Sequence, residues 1–523
     1  MAPSLHTLLV HAPKWDSRYG PLGPAATIHM MAVGLPALAE VVEGTGRSVQ
    51  LMHLGVERLV DPAFDVGDTV RALRPRLVGF SLHWHPQSWH TIEAIRQVKA
   101  ACPDTFIVVG GFTATAFARQ LLEAVPAVDA VVRGDGERPL EALVAAVDAG
   151  ADLSQVPNLS WRSAGQIHDN PQTWTVDRDT LSGLGFERFD LLRHADTYIR
   201  HCGLHYVPHS RRTRGLMRLA QRVFGGSGRF MVLPAGRGCS VNCAWCGGGW
   251  GAHKRLHGRT GPVKMHPGRL AALVGRSVDW GFDGVHACFD PHPRDPSDWV
   301  EVCARVRSSS VRTGMLFESF QLPHPELVQA LSRTFLRPVI AISPESPREA
   351  VRHKVRGLPF TNDALVESVA LCARHGVDVL LSFGMGLPGE DVGALDEAVA
   401  LHARCLSAAR SGRRAARVLL RTFPIELEPG APWADNPEQW GITAHRSTFR
   451  DYLEAHAPGA RGPKQGLGFS HPTYFREDGR DFATALREEG CARMCPLPPG
   501  PRLGHHSCAA LRRMGGDPGP CVA

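Results

Sequence analysis

The sequence lacks any uninterrupted apolar run of the roughly 18 residues that would span a bilayer. Its first residues, MAPSLHTLLVHAPKWD, have no charged segment ahead of an apolar core, the arrangement that a secretory signal requires. It also has no internal repeat and no low-complexity tract. We therefore expect a cytosolic protein, neither fibrous nor membrane-bound. In that compartment its 13 cysteines are core residues, catalytic thiols or metal ligands rather than a disulfide framework.

The composition excludes a disordered chain and argues against a nucleic-acid binder. The 523 residues suffice for about three domains of ~150 residues each. The hydrophobic fraction of 43% and the charged fraction of 21% are those of a folded globular protein. The 58 lysines and arginines exceed the 51 acidic residues by 7. Aromatic residues do not interleave with the basic ones, so this excess predicts anionic ligands or a solvated surface rather than a nucleic-acid groove.

Residues 1–175 alternate short apolar segments with amphipathic ones, the order typical of a doubly wound, Rossmann-like parallel sheet. The predicted strands lie at residues 6–10, 48–54, 77–81, 105–109 and 130–132. Ligands of such sheets bind beyond the carboxyl ends of the strands, where the turns 81–85, 110–113 and 133–137 fall. The glycines of these turns either let the backbone approach a ligand or only turn the chain, and the turns alone do not decide between the two.

A second α/β series follows a weakly periodic linker at residues 176–228. Its predicted strands lie at residues 231–235, 284–289, 315–320, 339–343, 379–383 and 417–422. Six strand–helix units predict a partial (β/α)6 TIM-like barrel over residues 229–425, with its active site at the carboxyl ends of the strands. Residues 426–523, rich in Pro and Gly turns, form a small C-terminal segment with a cysteine-bearing tail. The predicted fold class is α/β.

Cys239, Cys243 and Cys246 form a Cys-x3-Cys-x2-Cys motif directly after the first strand of this second series. Three thiolates on one short loop can hold three irons of a four-iron cluster and leave the fourth iron open for chemistry. The alternatives are a zinc knuckle or three unrelated buried thiols. Zinc sites normally combine one Cys pair with a distant second pair, so the triplet favours the cluster.

With an aromatic residue directly before its last cysteine, this motif resembles the signature of the radical S-adenosylmethionine (SAM) superfamily. The resemblance implies that SAM chelates the open iron of a 4Fe-4S cluster and is cleaved to methionine and a 5′-deoxyadenosyl radical. Turns at the ends of later barrel strands, and the pair Arg356-Gly357, are also similar to family motifs. The residues to which the resemblance assigns contacts with SAM are Trp245, Asp290, Ser343, Glu345, Gly386 and Glu390.

The glycine turns of the first domain resemble those of cobalamin-dependent (class B) radical SAM methyltransferases. The residues to which this resemblance assigns cobalamin contacts are Ser81, Trp84, Gly110, Gly111, Thr113, Gly134 and Glu137. An Asp-x-His-x-x-Gly motif is absent around His53, so cobalt would receive no histidine from it. We expect Trp84 to pack on the lower face of the corrin, with His83 or His85 as a polar contact. The alternative is that all three only cap the strand.

The resemblance implies that a methyl group passes from SAM, via methylcobalamin, to an unactivated carbon or phosphorus of a small biosynthetic intermediate. Flavodoxin or ferredoxin would donate the electrons. Two alternatives stay open: a cobalamin-dependent radical SAM cyclase or ring-rearranging enzyme, and a non-catalytic iron–sulfur redox protein. The tail cysteines either hold a second metal or belong to a lid; they are Cys491, Cys495, Cys508 and Cys521. The cysteines expected in the core are Cys102, Cys202, Cys288, Cys303, Cys372 and Cys405.

Overall fold

The computed structural model of the chain describes residues 5–13, 30–201, 229–291, 293–391, 393–410, 416–460 and 467–472. Its strands in chain order are β1 (Thr7–His11), β2 (Val49–His53), β3 (Leu77–Ser81), β4 (Phe106–Gly110), β5 (Ala130–Val132), β6 (Leu159–Ser163), β7 (Gln166–Asp169), β8 (Phe230–Val232), β9 (Gly236–Arg237), β10 (Val263–Lys264), β11 (Gly284–Ala287), β12 (Gly314–Ser319), β13 (Leu336–Glu345), β14 (Asp378–Met385), β15 (Val418–Pro424), β16 (Thr443–Ala444) and β17 (Phe469–Ser470).

The α-helices lie between these strands. They are Gly34–Gly44, Leu54–Val60, Val66–Leu73, Ser88–Ala101, Phe112–Ala116, Ala118–Ala124, Glu137–Ala149, Arg178–Gly183, Ala195–His201, Trp250–His257, Pro267–Asp279, Ser297–Ser308, Pro325–Thr334, Glu349–Val355, Asn362–Arg374, Gly393–Ala409, Pro432–Asp435 and Phe449–Ala455. Short 3-10 turns are His85–Gln87, Leu153–Gln155, Phe189–Leu191 and Pro437–Trp440. None of the helices in the described ranges is both long and apolar enough to cross a membrane.

The first sheet has seven strands in the order β2-β1-β3-β4-β5-β6-β7. Its first five strands in that order are parallel, as the alternation of apolar and amphipathic segments predicts. All five lie within two residues of their predicted positions. The sequence reasoning missed the antiparallel extension by β6 and β7. Chain order reverses between β1 and β3, so the crevice that can receive a ligand opens beyond the carboxyl ends of these strands.

The second large sheet has six parallel strands in the order β15-β14-β13-β12-β11-β8. Neighbours in the sheet are successive large strands of the chain, which is the order of a (β/α) barrel. β8 and β15 each pair on one side only, so the barrel is open and the predicted partial barrel is confirmed. The carboxyl ends of all six strands therefore lie at one rim, where the cysteine loop also begins.

One apolar core runs through both sheets. It includes Leu9 and Leu51 of the first sheet and Val285 and Ile340 of the second. A second core cluster fills the opposite face of the first sheet, and Phe449 and other residues of the helix Phe449–Ala455 belong to it. The C-terminal segment is thus packed onto the first domain, and the relative position of both domains is set by buried apolar contacts.

Candidate cofactor-binding site

A cavity of about 660 Å³ lies between the two sheets. Its walls are the turns after β3, β4 and β5 on one side, and the cysteine loop with the ends of β11, β12 and β13 on the other. A volume in this range suits a ligand of cofactor size. Most of its surface is apolar, with a few charged and polar groups placed among the carbon atoms.

The three cysteines of the motif all line this cavity. Each sulfur accepts one backbone N–H: Cys239 from Val241 at 3.4 Å, Cys246 from Gly248 at 3.3 Å, and Cys243 from Gly357 at 3.4 Å. Two of these donors come from the loop itself. The third comes from the Arg-Gly pair after β13. Such N–H···S bonds stabilise thiolates and tune the potential of an iron–sulfur cluster.

Burial raises the pKa of each of these thiols. The pKa of Cys239 is raised to about 11, that of Cys243 is raised, and that of Cys246 is well above the ordinary thiol value. Metals bind the thiolate form, so the positive charge of a metal centre has to offset this burial. Three sulfurs on one loop, each with its own backbone N–H donor, fit an iron–sulfur cluster, and the loop leaves no cysteine to close a fourth iron.

The structure brings three of the six predicted SAM contacts to the cavity wall. Trp245, Ser343 and Glu345 line it. Asp290 is buried beside the cysteine loop but is not among the residues of the wall, and its charge contributes to the raised pKa of Cys239. Gly386 lies after β14 with a φ of 91°, a conformation that favours glycine, and also lies outside the wall.

Glu390, the sixth predicted SAM contact, also lies outside the cavity wall. Its carboxylate accepts from the Ser346 hydroxyl at 2.5 Å and from the Leu387 backbone N–H at 3.3 Å. Burial raises the pKa of Glu390 to about 7. Through these two hydrogen bonds the Glu390 side chain connects the turn after β14 to the turn after β13. It therefore supports the cavity wall from behind.

Glu345 combines burial, charge and backbone strain at the end of β13. Its φ of 66° is in the left-handed region, which a residue with a Cβ rarely adopts. Its carboxylate lies 3.4 Å from the Arg356 guanidinium, and both side chains are buried and line the cavity. Strain of this kind persists where surrounding contacts enforce it, and it clusters at ligand sites.

Six of the seven predicted cobalamin contacts line the cavity: Ser81, Trp84, Gly110, Gly111, Gly134 and Glu137. Thr113 does not; its hydroxyl donates to the backbone oxygen of His83 at 3.2 Å and joins two turns. Gly111 has a φ of 115°, and a Cβ there would lie 2.7 Å from the Leu82 backbone oxygen. Position 111 therefore requires a glycine, because two turns approach each other too closely there to admit a side chain.

The side chains of the loop after β3 point in two different directions. Trp84, 45% exposed, and His83 line the cavity, and their rings meet edge to face at 4.6 Å. His85 points away and lies 3.0 Å from His456. His53 is also outside the wall: its Nδ1 accepts from the first backbone N–H groups of the helix Leu54–Val60. Of the two predicted polar contacts, the structure therefore places only His83 in the cavity.

Two histidines that the sequence reasoning did not single out also line the cavity. His253 and His257 lie one turn apart on the helix Trp250–His257, directly after the cysteine loop, and pack against Phe112 of the first domain. Burial lowers the pKa of His253 to about 4 and that of His257 to about 3. Both imidazoles are therefore neutral at pH 7. Their spacing of four residues was the available signal.

Within the described residues, His253 Nδ1 and His257 Nε2 have no hydrogen-bond partner, although both atoms are buried. Buried polar atoms are rarely left without a partner in a folded protein. The two nitrogens therefore fit a ligand with polar groups at its edge, and the side-chain amides of a corrin are such groups. Together with the glycine turns opposite, these residues fit cobalamin.

A buried ion-pair network joins the two walls, and the sequence reasoning missed its arginines. Arg237, two residues before the first cysteine of the motif, donates to Asp135 at 3.0 Å and to both oxygens of Glu137. Arg259 also pairs with Asp135. Burial would raise the pKa of Asp135, but the charges of Arg237 and Arg259 outweigh it, so the pKa is lowered. The predicted cobalamin contact Glu137 is thus also an anchor for the cysteine loop.

The remaining cysteines are distributed as follows. Cys303, Cys372 and Cys405 are buried in the core, as predicted. Cys288 was expected there too, which is wrong: it follows β11 and lines the cavity, and burial raises the pKa of its thiol to about 12. Cys102 is half-buried. Cys202 and the four tail cysteines lie outside the described residues.

Comparison with known families decides the identity of both domains. Residues 26–144 match the B12 binding domain, and residues 233–401 match the radical SAM superfamily. The chain thus combines a B12-binding domain with a radical SAM domain. The predicted order, a B12-binding domain followed by a radical SAM domain, is confirmed.

Two curated relatives match parts of this chain. An uncharacterized methyltransferase of Pyrococcus horikoshii, PH0819, is 21% identical over 328 residues, 62% of this chain and 63% of that protein. Hopanoid C-3 methylase of Methylococcus capsulatus is 29% identical over 133 residues, 25% of each chain. The chain therefore aligns with less than two thirds of the length of either relative.

The fold is shared over nearly its whole length with a solved structure. This is the radical SAM methyltransferase TsrM from Kitasatospora setae, solved with cobalamin and a 4Fe-4S cluster bound. The TM-score is 0.64 at 16% identity, and the match covers 95% of this chain and 90% of TsrM. A second structure of TsrM holds tryptophan substrate and a SAM analogue.

Proposed function

We propose that this protein is a cobalamin-dependent radical SAM methyltransferase. It transfers a methyl group from SAM, through cobalamin, to an unactivated carbon or phosphorus of a small biosynthetic intermediate. In this proposal Cys239, Cys243 and Cys246 hold a 4Fe-4S cluster. Trp245, Ser343 and Glu345 contact SAM, and the six turn residues of the first domain that line the cavity contact cobalamin.

The observation that carries the proposal is that one cavity is lined by both sets of residues. The glycine turns after β4 and β5 face the cysteine loop across the same space. A small molecule in that space would therefore be accessible to groups bound on either wall. Two separate cavities would have favoured two independent binding functions.

When bound, the cluster and cobalamin supply the electron and the methyl group, and the protein supplies position and environment. Arg356 neutralises the buried carboxylate of Glu345 at the end of β13. The neutral imidazoles of His253 and His257 offer polar contacts without adding charge. The apolar wall, with Trp84 and Phe112, excludes water from the space between the cofactors.

Several finer assignments belong to the same proposal. The division into residues 1–175, 176–228, 229–425 and 426–523 is supported by the end of the first sheet at Asp169 and the start of the second at Phe230. A small-molecule substrate is supported by the tryptophan bound in TsrM. We further propose flavodoxin or ferredoxin as electron donor and the cytoplasm as the compartment, where the free cysteines of the described residues stay reduced.

The test is anaerobic reconstitution of the full chain with iron, sulfide and hydroxocobalamin, followed by incubation with SAM and a low-potential reductant. Mass spectrometry then quantifies S-adenosylhomocysteine and 5′-deoxyadenosine. Both products are expected. Deoxyadenosine alone would contradict methyl transfer and indicate cyclisation or rearrangement. If SAM leaves the spectrum of the cluster unchanged and yields neither product, the protein is a non-catalytic redox protein.

Two cysteine variants make a matched pair for this test. Cys239→Ala removes a sulfur from the cavity wall, and we expect it to abolish both products and to lower the iron content. Cys372→Ala removes a sulfur from the buried core of the same domain, away from the cavity. We expect it to retain iron and both products. Equal product from the two variants would contradict the role of the triplet.

A further inference from the structure

The strongest cluster of metal-binding side chains outside the cavity consists of His85, Glu426 and His456. One ligand atom of each residue lies within 4.8 Å of a ligand atom of the other two. No fourth His, Cys, Asp or Glu within the described residues joins this group. The three come from distant parts of the chain: the 3-10 turn after β3, the segment after β15, and the end of the helix Phe449–Ala455.

The two imidazoles face each other directly. His85 Nδ1 and His456 Nε2 are 3.0 Å apart. Two neutral rings at this distance need either a proton or a cation between their nitrogens, because two lone pairs repel. In a tetrahedral zinc site, bonds of about 2.0–2.1 Å hold two ligand nitrogens about 3.3 Å apart. The observed separation is close to this value.

The carboxylate distinguishes a metal site from a simple pair of histidines. A carboxylate beside two imidazoles favours a cation between them, and it does so here even though Arg446 also pairs with this carboxylate. Glu426 also accepts from Arg446 through Oε2 at 3.2 Å. Each carboxylate oxygen has two lone pairs, so a carboxylate can accept from an arginine and bind a metal at the same time.

The surroundings hold the ligands in place, as a metal site requires. The His85 ring packs edge to face on Tyr452 at 5.2 Å, and the Tyr452 hydroxyl donates to the Leu427 backbone oxygen at 3.1 Å. Tyr452 therefore contacts His85 and reaches the residue next to Glu426. Phe449, at the start of the same helix, donates its backbone N–H to Gln120 of the first domain at 2.8 Å. The site lies on a packed interface and not on a mobile surface.

We propose that His85, Glu426 and His456 bind a divalent transition-metal ion that clamps the C-terminal segment to the loop after β3. Two imidazoles and one carboxylate are a ligand set that suits zinc, with a fourth position left for water. His85 follows Trp84 directly, so the clamp would fix the loop whose tryptophan lines the cavity. This inference does not rest on the proposed methyltransferase activity.

The experiment uses the full chain with its cluster reconstituted anaerobically, loaded with Zn²⁺ and dialysed against a chelator. Retained zinc and iron are measured by inductively coupled plasma mass spectrometry. We expect one zinc per chain in the wild type, and about tenfold less in His85→Ala and His456→Ala, since loss of a ligand costs at least as much affinity as loss of an outer-shell partner. His445→Ala is the matched control. That histidine lies in the same segment but bonds Ser470, so zinc should be retained.

X-ray absorption at the zinc edge separates this site from the cysteines of the tail. The proposal requires nitrogen and oxygen neighbours with imidazole scattering and no sulfur shell. A sulfur shell, equal zinc in wild type and variants, or no zinc above buffer in the wild type would each overturn it. Iron content reports folding. If an alanine variant loses iron, His456→Gln and Glu426→Gln, which keep the side-chain volume, carry the test instead.

Discussion

Substitution of Gly111 by alanine tests how closely the turns of the B12-binding domain approach each other. The φ of Gly111 is 115°, and an added Cβ would lie 2.7 Å from the Leu82 oxygen and 2.8 Å from the backbone nitrogen and Cα of His83. All three are backbone atoms and cannot rotate away. They are also held, because Leu82 donates to the Gly110 oxygen at 2.8 Å and accepts from Ala114 at 3.3 Å.

The cost follows from these two effects. A residue with a Cβ at such a φ costs on the order of 1–3 kcal/mol. Overpacking against fixed atoms costs a further amount of similar size. The smaller entropy of the unfolded alanine chain returns about 0.4–1 kcal/mol. We therefore expect Gly111→Ala to lower the free energy of unfolding of the first domain by about 3 kcal/mol and to weaken cobalamin retention.

Gly110 provides the matched control, because it is the adjacent residue and lines the same cavity. A Cβ there would lie 3.9 Å from its nearest neighbour, the Val132 oxygen, which is an ordinary contact. Gly110→Ala is expected to change the free energy of unfolding by less than about 1 kcal/mol. The measurement is chemical denaturation of the full chain, with uptake of hydroxocobalamin followed by absorbance. Equal stability of the two variants would refute the argument from close approach.

Two further predictions concern charged groups in the cavity wall and behind it. Arg237→Met removes a cationic partner of the buried carboxylates of Asp135 and Glu137, so we expect the free energy of unfolding to fall by about 3–5 kcal/mol. Chemical denaturation measures this free energy, and an unchanged value would contradict the importance of the ion-pair network. Burial raises the pKa of Glu390 from 4.5 to about 7. Between pH 4.5 and pH 7 the folded state therefore keeps a proton that the unfolded state has lost, and the stability of the folded state falls as the pH rises through this range. Relative to Glu390→Gln, the wild type should lose about 3 kcal/mol of unfolding free energy from pH 4.5 to pH 8; parallel pH profiles would contradict this.

Much of the fold could be predicted because short stretches of the sequence are enough to indicate the buried strands. Parallel strands buried on both faces are continuous apolar segments, and the eleven that were predicted are all strands in the structure. β6 and β7 were missed, since their burial is partial and their alternation weak. Ala164 and Gly165 lie between them, both at positive φ, which is the geometry of a two-residue hairpin turn. That turn was the signal available in the sequence.

The candidate site was predictable where the backbone alone decides it. The carboxyl ends of parallel strands meet at one edge, so the turns after β3, β4 and β5 and the cysteine loop were expected at a ligand site. Side-chain direction was not predictable in this way. Glu390 and Thr113 lie in the right turns, yet their side chains bond neighbouring turns instead of facing the cavity. Which partner a polar side chain selects depends on residues that are distant in the sequence.

The distance between the two walls of the cavity is itself a property that side chains set. Arg237 precedes Cys239 by two residues, and its carboxylate partners, Asp135 and Glu137, belong to the turn that carries Gly134. A shift of the cysteine loop away from that turn would separate Arg237 from Glu137 and leave Asp135 with Arg259 as its remaining arginine, which is unfavourable for buried charges. The loop and the turn therefore move as one unit. If the cysteine loop holds a cluster and the glycine turn holds cobalamin, the space for substrate between them is fixed before substrate binds, which is the pre-organisation that transfer between two cofactors requires.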